Sequence, residues 1–83
     1  MKLRDGIAVT STEFGGVLLD QRAGTYWQLN EAGTVVVTAI AEGHGPRTAV
    51  ERLVAAFDVD QARAEADVAD LTRQLVEAKM ATP

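Results

Sequence analysis

The segment Thr25-Tyr26-Trp27-Gln28-Leu29-Asn30-Glu31-Ala32-Gly33 constrains this chain most. Thr25 to Leu29 read as a short strand that runs straight into a helix start. Asn30 is a good N-cap, because its side-chain oxygen can accept an orphan amide N–H of the first turn. Glu31 falls in that turn, where the helix dipole favours a carboxylate. Tyr26 and Trp27 are the only Tyr and Trp in the chain. Adjacent strand residues point to opposite faces, so only one ring can join the core, and the local pattern leaves open which. Two large rings on one short strand either anchor a sheet or present its edge to a partner.

The strand has two predecessors. Ile7 to Ser11 are rich in β-branched residues and predict a first strand. Glu13-Phe14-Gly15-Gly16 predict a turn, and Val17 to Asp20 a second strand. Arg22-Ala23-Gly24 make a short hairpin loop with Gly24 in the left-handed position. The result is a three-stranded antiparallel meander with Thr25–Leu29 at its end.

Helices follow. The first is expected over Glu31–Glu42, with Val35, Val36, Ala39 and Ile40 as its apolar stripe, and Gly43-His44-Gly45-Pro46 end it. Three consecutive β-branched residues, Val35 to Val37, run against helix propensity there. The second is expected over Arg47–Phe57, with Ala49, Val50, Leu53, Val54 and Phe57 at helical spacing. Asp60 caps a third, from Gln61 to Lys79, whose stripe is Ala64, Val68, Leu71 and Leu75. Its flank is alanine-rich, which favours helix but fills little volume and can leave a shallow groove. Thr82-Pro83 read as a frayed end. Strands followed by helices predict an α+β fold, here with a winged helix-turn-helix outline.

At 83 residues the chain is expected to form one domain, spanning residues 1–83. A domain this small leaves little room for an enclosed active site. There is no cysteine, which excludes thiolate chemistry, disulfides and zinc fingers and fits a reducing, cytoplasmic setting. No segment approaches the roughly 18–20 apolar residues of a membrane span, so no membrane partner is expected. The formal net charge of −4 repels phosphate backbones, so nucleic acid is not expected either.

Catalytic motifs are weak. The lone His44 sits in a Gly/Pro loop, and the lone Ser11 lies in or near a strand without a nucleophile-elbow pattern. Gly15-Gly16 match neither a P-loop nor a dinucleotide fingerprint. Acidic residues crowd the last helix, with Arg63–Asp67 and Arg73–Glu77 spaced i, i+4 as salt-bridged surface pairs. Neither a cofactor nor a metal is called for. Binding by shape remains. An edge strand has unpaired N–H and C=O groups to which an extended peptide can add. The apolar stripe of the last helix would then be the opposite wall, unless it is plain core.

Gly16-Val17-Leu18-Leu19-Asp20, Tyr26-Trp27-Gln28-Leu29-Asn30-Glu31-Ala32-Gly33 and Asp67-Val68 with Leu71 and Leu75, in that order, resemble the PqqD-like family, also called RiPP recognition elements. The resemblance spans about Gly6 to Met80, and Leu29-Asn30-x-x-Gly33 is its most specific part. It implies a non-catalytic winged helix-turn-helix domain that captures the leader segment of a ribosomally made precursor peptide. The leader adds to the third strand and lies against the third helix.

Among stand-alone members the chain looks like the leader-binding half of a split lasso-peptide B protein. That likeness implies two partners, a transglutaminase-like cysteine protease and a downstream macrolactam synthetase, and leaders with a Tyr-x-x-Pro element. A peptide chaperone of another such pathway and a winged-helix DNA-binding regulator are the alternatives. The expected peptide-binding set is Thr25, Tyr26, Trp27, Gln28 and Leu29 on the strand, with Ala64, Asp67, Val68, Asp70, Leu71 and Leu75 on the helix. Asp67 and Asp70 would attract leader lysines. Thr72 departs from the family, which often has a large apolar residue there.

Overall fold

The computed structural model describes all residues from Met1 to Pro83. Five strands and three helices follow in the order β1 (Lys2–Leu3), β2 (Ile7–Thr12), β3 (Gly15–Asp20), β4 (Thr25–Leu29), α1 (Glu31–Ala41), α2 (Pro46–Ala56), α3 (Gln61–Glu77) and β5 (Ala81–Thr82). The main sheet has the order β2-β3-β4 and is antiparallel throughout, so the expected meander and the α+β architecture are what the chain forms.

The β2–β3 turn is tighter than the sequence suggests. Thr12 pairs with Gly15, so only Glu13 and Phe14 lie outside the ladder, and both glycines belong to β3. They are there for clearance. Gly15 has φ +134, and a Cβ on it would collide with the Leu29 carbonyl oxygen. A Cβ on Gly16 would sit 2.7 Å from the Thr34 hydroxyl oxygen and 2.9 Å from the Thr10 carbonyl oxygen. The helix α1 therefore lies directly on β3, closer than any side chain at Gly16 would permit. The second hairpin is as expected: the Asp20 carboxylate accepts from the Arg22 and Ala23 amides, and Gly24 adopts φ +74.

The strand-to-helix joint forms as its sequence dictates. Asn30 Oδ1 accepts the Gly33 amide at 2.7 Å. A Cβ on Gly33 would stand 3.2 Å from that oxygen, which explains the Leu29-Asn30-x-x-Gly33 spacing. Asp60 Oδ1 caps α3 in the same way, accepting the Arg63 amide at 2.7 Å.

One cluster forms the core: Leu18 and Leu29 from the sheet, Val36, Val37, Ala39 and Ile40 from α1, Ala49, Val50 and Leu53 from α2, and Ala64, Val68 and Leu75 from α3. Two stripes differ from expectation. On α1 the buried valines are Val36 and Val37, while Val35 is half-buried. On α3 the fourth buried position is Thr72, not Leu71. The Thr72 hydroxyl donates to the Val68 carbonyl at 2.8 Å, so the helix's own backbone satisfies it and it can be buried.

The helices also shift by a residue or two: α1 stops at Ala41, Pro46 opens α2 as its first residue, and α3 stops at Glu77. The C-terminal end is not frayed. The strand β5 pairs with β1, Lys2 with Thr82 and Leu3 with Ala81, and buries Met80 and Ala81 against the core.

Candidate functional site

The strand β4 hydrogen-bonds to β3 on one side only, so its other edge is unpaired. Its side chains alternate. Trp27 and Leu29 face the helices, with Trp27 half-buried against the core cluster and Leu29 9% exposed. Tyr26, 64% exposed, and Gln28 face the opposite side, where Tyr26 pairs with Leu19 across the ladder. Trp27 is thus the ring that serves the core. Thr25 opens the strand opposite Asp20 and is exposed.

α3 packs on α2 rather than on β4, and a groove of about 370 Å³ lies between the end of β4, the start of α1 and the middle of α3. Gln28, Leu29 and Asn30 form one wall. Asp67, Asp70, Leu71 and Gln74 form the other, and Val36 and Leu53 lie at the floor with Ala32 and Gly33. The groove is therefore apolar at its base and acidic on its helix rim.

Of the residues singled out in the sequence, the fold brings Gln28, Leu29, Asp67, Asp70 and Leu71 to this groove. It does not bring Ala64, Val68 and Leu75, which are 0%, 1% and 0% exposed in the core. The helical repeat explains the correction. Positions 64, 68, 72 and 75 lie on the core stripe, whereas Leu71 is rotated by about 100° from Thr72 toward the groove. Neither Tyr26 nor Trp27 lines the groove, although both lie on the open edge strand. Gln74 does, and its spacing from Asp67, Asp70 and Leu71 is a helical face that the sequence already contained. Leu53 and Val36 gave no separate signal, because their spacing reads as core.

The rim carboxylates are engaged within their own helix. Arg63 lies 3.4 Å from Asp67. Arg73 pairs with both Asp70 and Glu77, and Gln74 donates to Asp70 at 2.8 Å. Hydrogen bonds to Asp70 first and Glu77 second raise the Arg73 guanidinium above its ordinary value. All these groups are at least half exposed, so solvent screens the pairs and an incoming cation can compete for the carboxylates.

An α+β winged-helix domain with one bare sheet edge, and a groove between that edge and its last helix, is a receptor shape for an extended chain. The chain belongs to the PqqD family: the family's model, coenzyme PQQ synthesis protein D, matches residues 15–81. A solved structure of lasso peptide synthetase B1 complexed with the leader peptide is similar to it, with 40% identity, a TM-score of 0.82, and coverage of 99% of this chain and 96% of that one. A second, TbiB1 in complex with the TbiA(beta) leader peptide, has 29% identity, a TM-score of 0.84, and coverage of 96% and 93%. No curated protein matches the chain.

Proposed function

We propose that residues 1–83 act as one recognition module that binds the leader segment of a ribosomally synthesised precursor peptide, in lasso-peptide biosynthesis. The observation that carries this reading is the bare β4 edge beside the groove, in a chain 40% identical to a lasso peptide synthetase B1 solved with its leader. The leader adds as a fourth strand to Thr25–Leu29, taking its main-chain hydrogen bonds from that edge. Alternate leader side chains enter the groove against Leu29 and Leu71, and Asp67 and Asp70 hold leader cations at the rim. Ala64, Val68 and Leu75 support this wall from beneath.

The module itself is non-catalytic and works in the cytoplasm, without cofactor. It presents the bound leader to a transglutaminase-like cysteine protease, ahead of a macrolactam synthetase. The acidic rim of α3 disfavours the alternative of a winged-helix DNA reader.

Titration against a fluorescent leader peptide containing Tyr-x-x-Pro, read by anisotropy, tests the proposal. Saturable binding that disappears when that Tyr and Pro are replaced is the expected result. A folded protein that binds no lasso leader would turn the reading toward a peptide chaperone of another pathway.

A further inference from the structure

The eight Lys and Arg side chains fall into two groups of four. Arg47, Arg52, Arg63 and Arg73, all in the helical half, each pair with a carboxylate. Lys2, Arg4, Arg22 and Lys79 are all exposed, and none makes an ion pair or a side-chain hydrogen bond.

The fold gathers the unpaired four at one end of the molecule. Pairing of β1 with β5 sets Lys2 and Arg4 beside the end of α3. Two adjoining depressions, of about 240 and 180 Å³, share Arg4, Asp5 and Arg22; Lys2 lines the first and Lys79 the second. This end is separate from the acidic groove, with which it shares no residue.

Two local features bear on Arg22 and Lys79. The Arg22 side chain lies over Gly6, where a Cβ would stand only 3.0 Å from its Cγ. Lys79 is the only non-glycine residue with positive φ, at +61, just past the end of α3. That is a position where glycine is ordinarily the unstrained choice. Lysine there keeps a charge next to Arg4 and Arg22 at the expense of backbone strain.

We propose that this basic end is a second interaction surface, which binds a short acidic segment of a protein partner. Charge complementarity selects the occupant. Four cations without an ion pair, against the two carboxylates of Asp5 and Asp20, leave a local excess of positive charge on a chain of net charge −4. Asp5 and Asp20 are interleaved among them. Those two carboxylates suit a partner with a few discrete acidic side chains and oppose the continuous charge of a nucleic acid. The proposal does not depend on what fills the groove beside β4.

The test is an amide NMR titration of the full chain with a hexaglutamate peptide at low ionic strength. Shifts confined to residues 2–5, 22 and 79 are expected. The double variant Arg4→Gln/Arg22→Gln should bind roughly tenfold more weakly, while Arg47→Gln/Arg73→Gln binds as the parent does. Lys79→Gly separates charge from folding: it should weaken binding while its urea midpoint stays level or rises. Equal loss from both arginine pairs, or no shifts at all, overturns the proposal. So does tighter binding of a short DNA duplex at the same salt, which would make the surface a nucleic-acid site.

Discussion

The two sides of α3 do different work, and neighbours in the sequence can belong to different sides. Thr72, the more polar residue, is 6% exposed in the core, and Leu71, the more apolar one, lines the groove. Polarity alone assigns them the wrong way round. What decides is the helical phase: the core stripe at Ala64 and Val68 continues through position 72 to Leu75. The lesson is that a hydroxyl satisfied by its own helix can take a core position and leave the neighbouring apolar residue at the groove.

The sharpest way to break this comparison is to put the same charge on each side. Val68→Asp places an unpaired carboxylate where the parent side chain is 1% exposed. It should destabilise the fold by about 3–5 kcal/mol, read as a lower urea midpoint or outright loss of the folded state. A folded Val68→Asp protein with a parental midpoint would remove Val68 from the core.

Leu71→Asp should cost the fold much less than Val68→Asp, since its half-buried side chain touches the core cluster on one side only and borders the groove on the other. Its loss belongs to binding, at about 1–3 kcal/mol for the leader peptide, because a charge would be buried under the added strand. Anisotropy with the leader measures it. If Leu71→Asp unfolds the protein while binding per folded molecule is unchanged, the groove has been drawn on the wrong side of α3.

Most of the fold was legible in the sequence because its signals are local. Asn30 and Asp60 cap the helices they precede, Gly24 turns the second hairpin, and Thr25–Leu29 is a strand with the predicted ends. The misses are long-range. β1 and β5 are two residues each, and only their mutual pairing across the whole chain makes them strands. Gly15 and Gly16 look like turn residues, yet they answer to Leu29 and to Thr34 in other elements. The groove is half legible: its edge strand and the placing of Asp67 and Asp70 along it follow from the sequence pattern, whereas Ala64, Val68 and Leu75 are indistinguishable from a wall until packing fixes the helical phase.

The charges along α3 and at the α1–α2 junction extend the contrast to smaller effects. Asp67 and Asp70 are paired only within α3, so their removal should alter binding and spare the fold. Asp67→Asn/Asp70→Asn should weaken a lysine-containing leader by about 0.2–1 kcal/mol per carboxylate at low salt, with the difference fading as ionic strength rises. An affinity loss that ignores salt would mean that these residues act by shape instead.

Glu42 is the counterpart that should affect folding and not binding. Its carboxylate accepts from Arg52 at 2.6 Å and so ties the end of α1 to α2, away from the groove. That hydrogen bond, then the Arg52 charge, hold the Glu42 carboxyl below its ordinary value. A carboxyl depressed in the folded state favours folding at every pH above its unfolded value, and that contribution is lost as pH falls through the folded one. Both groups are partly exposed, so the effect is small and screened. Glu42→Gln should therefore lower the urea midpoint slightly near neutral pH, and the gap from the parent should close as pH falls through the depressed folded-state value and Glu42 takes up its proton. Leader affinity should stay the same throughout. A gap in midpoints that persists in acid would show that the Glu42 side chain acts through its shape at the α1 terminus, with no contribution from its charge.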